Sequence, residues 1–124
     1  AFVYQLAVTV DDGLAGVTQV VRGQDLLSSS PRQMYLQELL GFDHPTYAHI
    51  PLLVAQDGRR LSKRDRDLDL GVLRQNRSAE QIVGFLAHIC GLTEHYEPVS
   101  PRELVEDFSW EKVKKEPIFM KDCP

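Results

Sequence analysis

The chain reads as an α/β fold whose second half turns all-α, and three observations carry that reading. Two segments, Phe2 to Val10 and Val17 to Val21, have strand patterning. A third, Tyr47 to Val54, is an apolar run of strand length. From about residue 67 onward every periodic segment has helical spacing, so the composition shifts near residues 65 to 70.

The elements follow in order. Phe2, Tyr4, Leu6, Val8 and Val10 alternate with Val3, Gln5, Ala7 and Thr9, which is period two, and Asp11-Asp12-Gly13 supplies turn chemistry after it. Val17 to Val21 is rich in β-branched residues and stops at Arg22-Gly23. Ser30-Pro31-Arg32-Gln33, Ser78-Ala79-Glu80-Gln81 and Ser100-Pro101-Arg102-Glu103 share one grammar, a Ser N-cap with Gln or Glu three residues on. The first is expected to open a helix ending at Gly41, with Met34, Tyr35, Leu39 and Leu40 on its apolar face. The second opens a helix ending at Gly91, with Ile82, Val83, Phe85, Leu86, Ile89 and Cys90 toward the core. The third opens a shorter one carrying Leu104, Val105 and Phe108, and Ser109-Trp110 starts one more turn. Asp67 to Arg74 has the pattern of another short helix.

Composition excludes several classes of function. Hydrophobic residues at 43% and charged ones at 26% suit an ordinary globular chain. A net charge of -4 offers nucleic acid no global attraction, so any RNA contact has to come from local clusters. The densest is Arg59-Arg60 with Lys63-Arg64 and Arg66. No run reaches the ~20 apolar residues of a membrane helix. The opening has no basic flank of a secretory signal; it lacks Met and begins inside a strand-like pattern, which reads as a truncated or processed start. Cys90 and Cys123 lack metal-ligand spacing and read as reduced thiols of a cytoplasmic protein. His44, His49, His88 and His95 do not cluster, so no metal site is expected in this chain and structural hydrogen bonding is expected of all four.

Two places carry chemistry. Arg60-Leu61-Ser62-Lys63-Arg64 is a small hydroxyl residue among cations on a loop leaving a strand, which suits a clamp on polyphosphate. A solvated basic loop has the same composition. Arg22, at the C-terminal end of a strand, lies where open α/β sheets bind ligands. It suits either a bidentate grip on a carboxylate or a structural ion pair with Asp11 or Asp12. Tyr4 among aliphatics suits core packing with its hydroxyl satisfied.

Taken together, Tyr4-Gln5-Leu6-Ala7-Val8 with Asp11-Asp12, Gly16 to Gly23, Asp25-Leu26-Leu27 with Ser30 to Gln33, Tyr47 to Leu53, and Leu61-Ser62-Lys63-Arg64 resemble, in order and spacing, the class I glutamyl-tRNA synthetases. The resemblance is greater to their shortened paralogues, the glutamyl-Q tRNA(Asp) synthetases: full synthetases commonly carry Asn at the position of Val8, and the chain stops soon after Trp110. Arg64 is nearer the full synthetases.

The resemblance implies the C-terminal half of a Rossmann-like nucleotide-binding fold over residues 1–66, and a helical, stem-contact-like region over 67–124. It implies that Tyr4 and Arg22 hold glutamate, that Asp25, Leu52 and Leu53 lie beside ATP, and that Ser62, Lys63 and Arg64 form the catalytic KMSKS-type loop, with Lys63 on the phosphates. The implied substrates are glutamate, ATP with Mg2+, and a tRNA, with the queuosine base of tRNA(Asp) as acceptor. The His-Ile-Gly-His-type motif, the first half of the fold and the zinc-binding Cys segment of many members are absent from these residues. Zinc would belong to that N-terminal part, and the chain alone is expected to be inactive. Two further readings stand beside this one: a glutamyl-tRNA synthetase fragment charging tRNA(Glu), and a non-catalytic module that binds tRNA or a protein partner.

Overall fold

The computed structural model describes residues 2–61 and 69–120; Ser62, Lys63 and Arg64 therefore lie outside the described residues. The chain forms two compact units, Ala1–Ile50 and Pro51–Pro124. The boundary of these units lies at residue 50, whereas the sequence reading divides the chain at residue 66, near its shift in composition.

The first unit begins with helix α1, Phe2–Ala15, where the alternation suggests a strand. The period-two pattern of Phe2 to Val10 contains a second pattern at spacing four, and that one sets the structure. Gln5 and Thr9 share a helix face, the Thr9 hydroxyl donates to the Gln5 carbonyl at 2.8 Å, and Thr9 is only 2% exposed. Asp11-Asp12-Gly13 continues the helix instead of ending it. The stop comes at Gly16, whose φ of 69° is left-handed, with Val17 N–H donating to the Asp12 carbonyl at 3.0 Å.

Strand β1, Gln19–Gly23, passes through a 3-10 helix, Gln24–Ser29, straight into helix α2, Ser30–Leu40, and returns as β2, Thr46–Ile50. The two strands are parallel, with Arg22 opposite His49 and Val20 opposite Tyr47. Because the 3-10 helix leads directly into α2, Ser30 does not cap it: the N-cap is Ser29, and its side chain makes no capping bond. The expected apolar face of α2 is also reversed. Met34, Tyr35, Leu39 and Leu40 are exposed, while Ser30, Gln33 and Gln37 are buried. The interior of this unit is therefore polar, built from Thr9, Ser30, Gln33 and Gln37. Such groups are stable inside only when hydrogen-bonded.

The second unit holds β3, Leu53–Val54; α3, Leu70–Asn76; α4, Ala79–Cys90; α5, Pro101–Glu106; and β4, Ile118–Phe119. The apolar run Tyr47 to Val54 is two strands, because Pro51, which lacks an N–H, interrupts it. The region after residue 67 is not all-α: β4 pairs in parallel with β3, Leu53 opposite Ile118 and Val54 opposite Phe119. A two-residue strand gives too short a pattern to read. Val54, Phe85, Ala87 and Ile118 form the buried apolar core of this unit.

Ser78 and Ser100 do close reciprocal capping boxes with Gln81 and Glu103. Each serine hydroxyl accepts from the N3 backbone, and the Glu103 carboxylate is held below its ordinary range by the hydrogen bonds of Ser100. Cys90 is half-buried and free, and burial pushes its thiol up. Ser109 turns the chain once more, accepting from Glu111 N–H at 3.2 Å. No helix among the described residues is long and apolar enough to cross a membrane.

Candidate functional site

Parallel pairing sets Arg22 and His49 side by side, and Tyr47, two residues before His49, shares their face. The Arg22 guanidinium lies 4.8 Å from the centroid of the Tyr47 ring, and the Tyr47 hydroxyl accepts from Gln37 Nε2 at 2.9 Å. In its own plane the guanidinium is held on three sides. Nε donates to His49 Nε2 at 3.1 Å, Nη1 to Gln33 Oε1 at 2.6 Å, and Nη2 to Ser30 Oγ at 2.7 Å and the Leu26 carbonyl at 3.3 Å. The 3-10 turn and the start of α2 supply three of these acceptors, which is why Ser30 and Gln33 are unavailable for capping.

Every one of these acceptors is neutral. The ion pair with Asp11 or Asp12 that the sequence allows is not the arrangement found. Four of the five N–H groups of the arginine are used within the described residues, so one remains on Nη1, not a two-pronged fork. The half-buried cation keeps its charge uncompensated by any of these partners, and a carboxylate is the complementary ligand.

His49 accepts through Nε2, so the ring is neutral with its proton on Nδ1. Burial, and then the adjacent Arg22 charge, lower its pKa from the ordinary 6.5. In the unfolded chain the ring protonates near that ordinary value, and in the folded chain it resists. The ring therefore leaves stability unaffected above pH 6.5, and stability falls as pH drops below it toward the lower folded value. The native protein is expected to lose more thermal stability between pH 7 and pH 5 than a His49→Asn variant does. Equal losses in the two would show that the ring does not titrate against Arg22.

The other expected site residues are placed as follows. Tyr4 is half exposed on α1, not packed in a core strand. Asp25 is exposed in the first turn of the 3-10 helix. Leu52 and Leu53 are half-buried, and the Leu52 carbonyl accepts from Ile118 N–H at 2.8 Å, so β4 already uses that backbone acceptor. The structure brings Arg22 together with His49, Tyr47, Ser30 and Gln33, and through Gln33 with Gln5, the neighbour of Tyr4. The sequence marks Gln5 only as a strand residue and Gln33 only as a capping residue; nothing local reveals that Gln33 meets an arginine and Gln5 the other end of the Gln33 amide. Among the described residues no three His, Cys, Asp or Glu side chains gather as a metal site.

A model of the family described as tRNA synthetases class I (E and Q), catalytic domain, matches residues 3–122. The chain belongs to this family. A glutamyl-Q tRNA(Asp) synthetase of Symbiobacterium thermophilum is 47% identical over 116 residues, covering 93% of this chain and 36% of that protein. Its counterpart in Nocardia farcinica is 48% identical over 120 residues, covering 96% and 37%. This member of the class I synthetases thus spans about a third of the length of the curated relatives it matches. The crystal structure of a glutamate tRNA ligase from Elizabethkingia meningosepticum, in complex with its amino acid, superposes with a TM-score of 0.75 at 27% identity, covering 95% of this chain and 28% of that one.

Proposed function

We propose that this chain is part of a glutamate-activating enzyme. A carboxylate oxygen of glutamate attacks the α-phosphorus of ATP, the bond to the β-phosphate breaks, and pyrophosphate leaves. The glutamyl group then moves from the adenylate to the queuosine base of tRNA(Asp), with AMP released. Arg22 and Tyr4 hold glutamate. Asp25, Leu52 and Leu53 lie along the nucleotide, whose Mg2+ enters with the phosphates as part of the substrate. Ser62, Lys63 and Arg64 form the loop over those phosphates, and residues 67–124 face the RNA stem. The observation that carries this reading is the Arg22 guanidinium, preorganised by neutral acceptors and uncompensated by them, in a chain of this family. A site complementary to a carboxylate before the carboxylate arrives avoids reorganisation during the reaction.

Because the chain spans about a third of its relatives, activation is proposed for the full-length parent, and the chain alone is proposed to be inactive. Pyrophosphate exchange by the parent should appear only when glutamate is present. A parent that neither exchanges pyrophosphate nor binds ATP by calorimetry would favour the non-catalytic module. A second reading, charging of tRNA(Glu), draws on the structural neighbours, which are glutamate tRNA ligases. Transfer of labelled glutamate to queuosine-bearing tRNA(Asp) against tRNA(Glu) decides between them.

Arg22→Lys in the parent is expected to raise the glutamate KM. An ammonium has three donors and no plane, so it cannot meet His49, Gln33, Ser30 and Leu26 together and still present an N–H to the ligand. An unchanged KM would remove Arg22 from the glutamate site.

A further inference from the structure

Gln33 is 2% exposed, and both ends of its amide are engaged: Oε1 accepts from Arg22 Nη1 at 2.6 Å and Nε2 donates to Gln5 Oε1 at 2.7 Å. Gln5 also donates, through Nε2, to Ser29 Oγ at 3.1 Å. One buried amide therefore links the arginine on β1 to helix α1 at the residue beside Tyr4. We propose that Gln33 is a positioning residue for glutamate recognition, fixing the Arg22 guanidinium through a neutral acceptor so that its charge stays available to the substrate carboxylate. This deepens the reading of Arg22 as a glutamate-binding group and rests on it.

The choice of an amide is the informative feature. A carboxylate of nearly the same shape would hold a guanidinium more strongly, in a charge-assisted pair. A site selected only for its grip on Arg22 would be served as well by Glu as by Gln. A carboxylate would also neutralise Arg22 from within and compete with the incoming substrate. The amide holds the cation without cancelling it, and its N–H2 end supplies the second bond, to Gln5, that a carboxylate lacks.

The test uses the full-length parent, with the glutamate and ATP KM values read by pyrophosphate exchange and folding read by thermal melting. Gln33→Glu is expected to fold, with a melting temperature no lower than that of Gln33→Met, which loses the same bond to Gln5, and to keep the ATP KM while raising the glutamate KM roughly tenfold or more, the scale of one lost charge-assisted contact. Gln33→Met removes the amide without adding charge and is expected to raise the glutamate KM by about threefold, less than Gln33→Glu. A glutamate KM that stays at the wild-type value in Gln33→Glu, while Arg22→Lys raises it, overturns the role of Gln33 and leaves the glutamate reading standing. A larger effect in Gln33→Met than in Gln33→Glu overturns the charge argument. If Arg22→Lys itself leaves the glutamate KM unchanged, the underlying reading falls and this inference with it. Should Gln33→Glu not fold, Gln33→Met decides alone, and a wild-type glutamate KM there overturns the proposal.

Discussion

Gly84→Ala is expected to lower the melting temperature of the chain by on the order of 10 °C. In the middle of a helix this substitution ordinarily stabilises, by up to about 1 kcal/mol, because Ala restricts the unfolded backbone. Here the opposite sign is expected. A Cβ on Gly84 would sit within 1.8 Å of the Glu97 carbonyl oxygen and 2.8 Å of the Glu97 carbonyl carbon. Both are backbone atoms, so no side chain can rotate away. Residues 97 and 98 would have to leave α4, and Val99 N–H would lose its 3.1 Å bond to the Glu80 carbonyl. Overpacking of this kind typically costs 1–3 kcal/mol, and contact with fixed backbone puts it near the upper end, about 3 kcal/mol. Thermal unfolding followed by circular dichroism reads this directly. A melting temperature equal to or above that of the native chain would mean that the 97–98 segment does not rest on this helix.

The second large effect concerns rate. Lys63→Ala in the full-length parent is expected to remove ~2–4 kcal/mol of transition-state stabilisation, the scale of one preorganised charged donor. That is roughly a 30- to 1,000-fold loss in the rate of adenylate formation. Lys63 lies outside the described residues, and the expectation comes from Arg60-Leu61-Ser62-Lys63-Arg64 in its family context. The loss should fall on kcat in pyrophosphate exchange, because charge grows on the phosphates as the bond to pyrophosphate breaks. The effect of Arg22→Lys should fall on the glutamate KM instead. An unaltered exchange rate in Lys63→Ala would take this loop out of the mechanism.

The three Ser-x-x-Gln/Glu boxes show how far local reading reaches. Ser78 and Ser100 cap as their spacing says, because each is itself extended, so its hydroxyl meets the N3 N–H while the N3 side chain reaches back to the serine N–H. Ser30 has the same local grammar and does something else, because a 3-10 turn precedes it and an arginine from another strand meets it. Its neighbours follow the same logic. Gln33 and Gln37 are buried while Leu39 and Leu40 are exposed, a reversal of hydropathy that no helical wheel predicts. The N-terminal alternation failed for a related reason. Phe2 to Val10 fits period two and spacing four alike, and contacts far along the chain chose between them: Gln5 with Ser29 and Gln33.

The sequence alone determined family membership, the helix starts at Ser78 and Ser100, the stops at Gly41 and Gly91, and the strand leading to Arg22. These depend on spacing within a few residues, or on motifs kept in order along the chain. Only the tertiary structure decided that the first segment is a helix, that β4 joins β3, and that the partners of Arg22 are His49, Ser30, Gln33 and the Leu26 carbonyl, not an aspartate. Those outcomes depend on which residues distant in sequence meet, and a half-buried charge selects its acceptors by proximity in space, which local pattern does not encode.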